Sequence, residues 1–330
     1  MSNSDSTQPT STSASTPTMR AIRQDEFGGA EVLKEVQIPR PAPGIGEVLV
    51  RVRAAGVNPT DWKNRAAGST VTKPLPLVLG WDVSGTVEAA GPGVTVHRAG
   101  DEVFGMLPYP DGVGAFAEYV VAPARSLVTK PEALDHVQAG ALPLAALTAY
   151  QALVDTAGVQ EGQRVLVHAA AGGVGHLAVQ IAKARGAYVI GTASAAKHEF
   201  LRGLGADELI DYRTADFAEA VSDVDVVLDT VGGDYTERSL RTLRRGGTLV
   251  TIVPGPGVMR TLPETAQKHG VRGEVMIVEA DQEGMRAVAD LAREGRLRAE
   301  VAGTYPLEQA AKVHELGETN RTTGKLVLIP

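Results

Sequence analysis

Between residues 164 and 190 the chain sets a short apolar strand, a glycine-bearing turn, an amphipathic helix and a second strand in immediate succession. Few folds accommodate that order. Arg164-Val165-Leu166-Val167-His168 is the strand, and Ala169-Ala170-Ala171-Gly172-Gly173-Val174-Gly175 is the turn. The helix over 173–185 places Leu177, Val179, Ile181 and Ala182 on its buried side, and Tyr188-Val189-Ile190 resumes the strand pattern. A turn this tight lets backbone approach an anion, and the helix behind it aims its positive end at the same point. The spacing is Ala-x-x-Gly-x-x-Gly, with Ala169 where many dinucleotide-binding turns carry a first glycine. A glycine pattern alone is weak, but strand, helix and second strand in register make it specific. A ligand-free glycine turn is the bland alternative.

The same alternation continues on both sides. A helix is expected over 145–157 and 197–204, a strand over 224–229, a helix over 236–243, and strands over 248–253 and 275–279. A helix over 283–294 and a strand-like end over 322–330 follow. Strand and helix at this pitch specify a doubly wound parallel sheet, so residues 142–282 read as a Rossmann, dinucleotide-binding domain. Upstream, short strands such as 48–53, 81–87 and 118–121 are punctuated by Pro41-Ala42-Pro43-Gly44, Gly91-Pro92-Gly93 and Pro108-Tyr109-Pro110. That spacing specifies a small barrel-like β domain over 19–141, which the C-terminal segment 283–330 rejoins. Residues 1–18 carry Ser or Thr at 11 of 18 positions and too little apolar surface to offset ordering, so a disordered tail is expected there. Met19 opens the folded part and is an alternative start.

The end of the second strand distinguishes the two nicotinamide dinucleotides. A site for NAD places an acid about 20 residues beyond the turn, on the ribose 2′-hydroxyl. Here the run is Gly191-Thr192-Ala193-Ser194-Ala195-Ala196-Lys197, without an acid. Thr192, Ser194 and Lys197 suit a 2′-phosphate, which a carboxylate would repel. Lys197 is alternatively a solvated lysine at a helix start. Tyr212 flanks the adenine side or sits in a surface loop.

The 330-residue chain has a formal charge of −7, which argues against a nucleic-acid partner. No apolar run approaches the roughly 20 residues of a membrane span, and no secretory or transit signal opens the chain, so a cytoplasmic location is expected. Cysteine is absent. A disulfide framework, a thiolate nucleophile and a Cys-ligated zinc are therefore excluded, and the seven histidines never fall in a ligand-spaced pair. No metal is expected.

Further motifs run in order through the chain: Ala55-Gly56-Val57-Asn58-Pro59-Thr60-Asp61, Gly80-Trp81-Asp82-Val83-Ser84-Gly85, Gly100-Asp101-Glu102-Val103, Leu144–Tyr150 and Gly324-Lys325-Leu326-Val327-Leu328. With the phosphate turn, they make residues 19–330 resemble the zinc-independent quinone-oxidoreductase (ζ-crystallin-like) branch of the medium-chain dehydrogenases/reductases. The resemblance implies a GroES-like β-barrel domain beside the Rossmann domain, with a cleft between them. It also implies hydride transfer from NADPH to a quinone or to the activated C=C bond of an enone or enal. Cofactor contacts fall on Ala171, Gly172, Gly173, Val174 and Gly175. The resemblance puts Asn58 and Thr148 near the nicotinamide, Trp62 against the acceptor and Lys325 within reach of the cofactor phosphate.

Each has a structural alternative. Asn58 is a turn residue at Pro59, Thr148 back-bonds within its helix, Trp62 belongs to the core and Lys325 is a surface lysine. Asp61 orients Asn58 or Lys63, or merely sits in the turn. The enoyl-thioester reductases of the superfamily carry a Tyr donor shortly after the Asn-Pro segment, and residues 58–73 contain no Tyr. An enoyl-thioester or polyketide-tailoring reductase would then need another donor, such as Tyr109. A non-catalytic NADPH sensor or crystallin-like structural protein is the remaining alternative. The run Gly273–Glu279 is expected to be the last, edge strand of the Rossmann sheet and to pair with its copy in a homodimer, unless the loop 255–270 covers it.

Overall fold

The computed structural model describes residues 17–255 and 257–330. Residues 1–16 lie outside the described part, so the expected tail is addressed only at its end. At that end Pro17 and Thr18 belong to the fold: the Pro17 carbonyl accepts from Arg40 N at 2.8 Å, and Thr18 pairs with Pro39. The N-terminal part contributes β1 (Thr18–Gln24), β2 (Lys34–Pro39), β3 (Glu47–Val57), β4 (Leu77–Val78), β5 (Asp82–Ala90), β6 (Glu102–Met106), β7 (Tyr119–Pro123) and β8 (Leu127–Thr129). In β3, exposed Arg51 and Arg53 alternate with buried Val50, Val52 and Ala54, the period-2 signature of a strand with one face on a core. Trp81, Phe104, Phe116 and Leu127 fill that core.

Helices α1 (Pro59–Ala67), α2 (His136–Ala141), α3 (Pro143–Tyr150) and α4 (Gly175–Ala184) frame the passage into the second sheet. The helix expected over 145–157 starts earlier, with Pro143 in its first turn, and widens into a π-type turn over Gln151–Thr156. The second sheet comprises β9 (Arg164–Val167), β10 (Tyr188–Ala193), β11 (Glu208–Asp211), β12 (Val224–Asp229), β13 (Leu243–Thr251) and β14 (Arg272–Val275). Its order is β11-β10-β9-β12-β13-β14, with all neighbours parallel. Strand order reverses between β9 and β12, and ligands of such sheets sit outside the carboxyl ends at that reversal. The phosphate turn leaves β9 there.

After that sheet the chain returns. β15 (Val301–Pro306) pairs with β16 (Lys325–Ile329), and β16 runs antiparallel to β3, extending the N-terminal sheet. Residue 56 must be glycine at this crossing: a Cβ there would lie 2.5 Å from both Asp82 Oδ2 and the Gly140 carbonyl.

The edge strand is displaced from its expected place. It is indeed last in the sheet, but it ends at Val275, and Met276 N makes the next backbone bond, to Thr251 O. Residues 276–279 leave the sheet, and the Gln151 side chain brackets the Glu279 backbone at 2.9 and 3.0 Å. Polar Arg272 and Glu274 hid the real strand. Its packing residue is Gly273, pressed under Leu262 and Ala266 of the helix Val258–Lys268.

Candidate functional site

The turn 169–175 is held in a strained shape. Ala169 has φ +44°, a left-handed conformation that costs an L-residue roughly 1–2 kcal/mol. The strain is sustained by bonds on both sides: Ala169 N donates to Thr192 Oγ1 at 3.1 Å, Ala170 N to Thr192 O at 2.9 Å, and Gly172 N to Ala169 O at 2.8 Å. Gly175 opens α4 so close to the strand that a Cβ would sit 2.4 Å from Ala169 O. Among the described residues, the N–H groups of Gly173, Val174 and Gly175 have no backbone acceptor. They are the orphan donors of a helix N-terminus, and an anion such as a pyrophosphate fits them. The residues present therefore suit a dinucleotide.

Thr192 does not face outward as its place in the acid-free run implied. It is buried, and its hydroxyl is engaged by Ala169 N and by His168 Nδ1 at 3.2 Å. His168 Nε2 lies 2.9 Å from Ser239 Oγ, so the turn rests on a Thr–His–Ser chain inside the domain. Ser194 follows β10 with a hydroxyl that caps nothing. Lys197 follows it, half-buried, with its ammonium donating to the Arg321 carbonyl at 3.2 Å. Burial, and next the Arg213 charge, hold its pKa below the usual lysine value. Tyr212 is exposed beside Arg213, whose guanidinium carbon lies 5.9 Å from the ring centroid.

On the other side of the turn stands a buried polar cluster that local sequence could not assemble. Lys325 is 3% exposed, which overturns the surface-lysine alternative. Its ammonium donates to Asn58 Oδ1, to Val57 O at 3.0 Å and to Asp82 Oδ2 at 3.4 Å. Its stem lies beside the turn, where a Cβ on Gly173 would stand 3.4 Å from Lys325 Cδ. Asn58 is the N-cap residue of α1, and its amide Nδ2 donates to Asp82 Oδ2 at 2.9 Å. Asp61 completes the cap, accepting from Asn58 N at 2.7 Å and Gly80 N at 3.0 Å, so it orients the Asn58 backbone and not Lys63. Burial pushes the Asp61 carboxyl up to about 8, against those two donors. Asp82, also raised by burial and opposed by Lys325, accepts from Leu144 N at 2.6 Å and so joins α3 to the cluster. Sequence reading quoted Asp82 only as part of a turn motif.

Two expected site residues have internal roles. Thr148 Oγ1 donates to Leu144 O at 2.7 Å, the helical back-bond. Trp62 packs into the helix Ala310–Glu318, with its ring against Gly317 and edge-on to His314 at 6.3 Å. Trp62 is only half-buried there, packed against the core from its edge. Tyr109 reaches the first turn of α1: its hydroxyl is 3.4 Å from Thr60 Oγ1 and donates to Thr70 Oγ1 at 3.0 Å.

The comparisons with known proteins agree with this architecture. The model for alcohol dehydrogenase GroES-like domains matches residues 44–132, and that for zinc-binding dehydrogenases matches residues 204–328. Human quinone oxidoreductase is 33% identical, over 94% of this chain and 98% of its own length. A Burkholderia 2-haloacrylate reductase is 37% identical, over 91% and 95%. Among solved structures, the quinone oxidoreductase of Coxiella burnetii superposes with a TM-score of 0.89 at 39% identity, covering 95% of this chain and all of that one. The Escherichia coli quinone oxidoreductase complexed with NADPH gives 0.85 at 32% identity, covering 94% and all.

Three buried histidines carry a pH dependence. Burial pushes His168 and His176 down to about 4, and burial with the Arg65 charge pushes His314 down to about 3. A folded-state pKa below the unfolded value keeps the ring neutral, so this stability is full above about 6.5 and is lost as pH falls toward 4. Asp61 and Asp82, both raised by burial, work oppositely, two carboxyls against three rings. Urea midpoints are expected to fall between pH 6.5 and 4. His314→Gln, which keeps an acceptor for Arg65, is expected to flatten that slope by up to about 1.4 kcal/mol per pH unit; an unchanged slope would count against a neutral buried His314.

Proposed function

The chain belongs to the quinone-oxidoreductase branch of the medium-chain dehydrogenase/reductase superfamily, and from that membership we propose that it is an NADPH-dependent reductase of quinones or activated alkenes, working without metal. The carrying observation is the contiguity of the two halves of the site. The unpaired N–H groups of the phosphate turn adjoin Lys325, whose ammonium is bonded to Asn58 and Asp82. A dinucleotide on the turn would therefore extend toward the Asn58 corner. When bound, NADPH supplies the hydride at nicotinamide C4; the protein's own work is orientation and stabilisation of charge on the acceptor oxygen. Lys325 and Asp82 hold the Asn58 amide rigid for that purpose.

The choice of NADPH rests on the acid-free end of β10, with Ser194 and Lys197 beside Arg213, and the NADPH in the E. coli relative supports it. The metal-free reading rests on the lack of cysteine and on the absence, among the described residues, of any converging group of three His, Asp or Glu side chains. Ser194→Asp with Lys197→Ala is expected to weaken NADPH binding by about 1–3 kcal/mol, through lost charge-assisted contacts and added repulsion. Wild-type affinity for NADH equal to or above that for NADPH, measured by titration, would refute the preference.

Quinone and alkene reduction differ in what they ask of the protein. A quinone takes its protons on oxygen, readily from water, whereas the enolate left by hydride addition to an activated alkene gains one on carbon, from water or faster from a placed donor. The Tyr109 hydroxyl, hydrogen-bonded beside Thr60, is the candidate for that donor and keeps the enone or enoyl-thioester reading in play. Tyr109→Phe is expected to lower kcat on an enone about 10²-fold while changing quinone turnover little. Equal effects on both substrates would remove Tyr109 from the proton path.

We further propose a homodimer built on the free edge of β14. Beside that edge Ile277 is 53% exposed and Met259, on the adjoining helix, 58% exposed. Ile277→Arg is expected to shift a sedimenting dimer toward monomer; a wild type already monomeric at micromolar concentration ends this reading.

A further inference from the structure

His176, in the first turn of α4, is fully buried and carries no role in the chemistry above. Its ring bridges two chain segments. Nε2 accepts from Glu300 N at 3.0 Å, which leaves the proton on Nδ1, and Nδ1 donates to Gly172 O at 2.8 Å. Burial keeps the ring neutral, as this tautomer requires. The Gly172 carbonyl also takes the His176 backbone N–H at 3.1 Å and so is held twice.

A trans peptide is planar, with its C=O and N–H pointing in opposite directions. Pinning Gly172 O toward His176 therefore aims the Gly173 N–H the opposite way, and that N–H has no backbone acceptor among the described residues. One helical turn on, Gln180 repeats the grip: Nε2 donates to Arg298 O at 2.9 Å and Oε1 accepts from Arg298 N at 3.0 Å. The gripped segment 298–300 leads into β15, and Glu300 O accepts from Lys325 N at 2.8 Å. Bonds thus run without a break from Gly172 through His176, Glu300 and Lys325 to Asn58.

We propose that His176 is a positioning residue for the cofactor: it fixes the Gly172–Gly173 peptide so that the Gly173 N–H meets the pyrophosphate, and it ties that peptide to the segment carrying Lys325. The inference rests on the dinucleotide reading above. It predicts a loss confined to ligands that possess a pyrophosphate.

The test is binding of NADPH and of adenosine 2′-monophosphate, which keeps the 2′-phosphate and lacks the pyrophosphate, to wild type, His176→Leu and His176→Gln. His176→Leu is expected to weaken NADPH about fivefold or more, the loss of one directed hydrogen bond, and to leave adenosine 2′-monophosphate unchanged. His176→Gln, with a donor and an acceptor of similar reach, is expected to restore NADPH binding. If His176→Leu does not fold, His176→Asn, too short to span both partners, is expected to show the same selective loss. Equal weakening of both ligands, no weakening of NADPH, or no rescue by Gln overturns the positioning role. A wild type that binds neither ligand overturns the dinucleotide reading itself, and the role of His176 with it.

Discussion

An ammonium removed from water needs an acceptor for each of its three protons and a nearby negative charge, and the position of Lys325 satisfies both demands. Val57 O and Asn58 Oδ1 come from the end of β3 and the residue after it, and Asp82 from the start of β5. The lysine itself comes from β16, the strand that closes the chain. Desolvating such a pair costs several kcal/mol per ion, and removing one partner leaves the other buried and uncompensated, at a cost of about 3–5 kcal/mol. The arrangement is thus a poor source of stability and a strong source of specificity. Any packing that misplaced β16 against β3 would strand a charge. Return of the C-terminal strands to the first sheet, the tight approach at Gly56 and the docking of α3 through Leu144 N all converge on the same carboxylate.

The phosphate turn depends on that cluster from one side and on the Rossmann interior from the other. Ala169 in a left-handed conformation would relax were it not bonded to Thr192, which is itself fixed through His168 to Ser239. Gly324 N donates to Ala171 O at 3.0 Å, so the residue before Lys325 also holds the turn. Strain sustained by surrounding bonds is common where a backbone must meet a ligand in one shape, because relaxation would withdraw the N–H groups from their line of approach.

The sheet, the turn and the helix behind it were legible in the sequence because their signals are local. Val165, Leu166 and Val167 form an apolar run, Gly175 sits where helix and strand touch, and Leu177 with Ile181 keep a helical period. The edge strand was misplaced for the opposite reason. β14 packs through Gly273 and shows no apolar alternation, while the apolar run 275–278 lies beyond it. Lys325 and its acceptors stand 243 to 268 residues apart, so no window could reveal that the lysine was buried. Thr192 looked like a ligand hydroxyl because its neighbours 194 and 197 suit a phosphate. β10 is buried on both faces, and the Thr192 hydroxyl is taken up inside by His168 Nδ1 and Ala169 N.

The histidines show what a spacing rule omits. Read as metal ligands, His168 and His176 are dismissed because no second histidine lies at ligand spacing. Read as neutral imidazoles, they are bifunctional connectors, each offering one donor and one acceptor across a buried gap. Both sit at the turn, one before it and one after it. His168 reaches back into the Rossmann core through Ser239, and His176 reaches across to Glu300 on the segment that rejoins the first sheet. A connector of this kind works only where its surroundings exclude water and keep it uncharged. The two rings are therefore buried for the same reason that they hold: neutrality preserves the acceptor nitrogen through which His176 receives the Glu300 N–H. The shape of the turn is set by partners in the Rossmann interior and in the returning C-terminal segment, and not by its glycines alone.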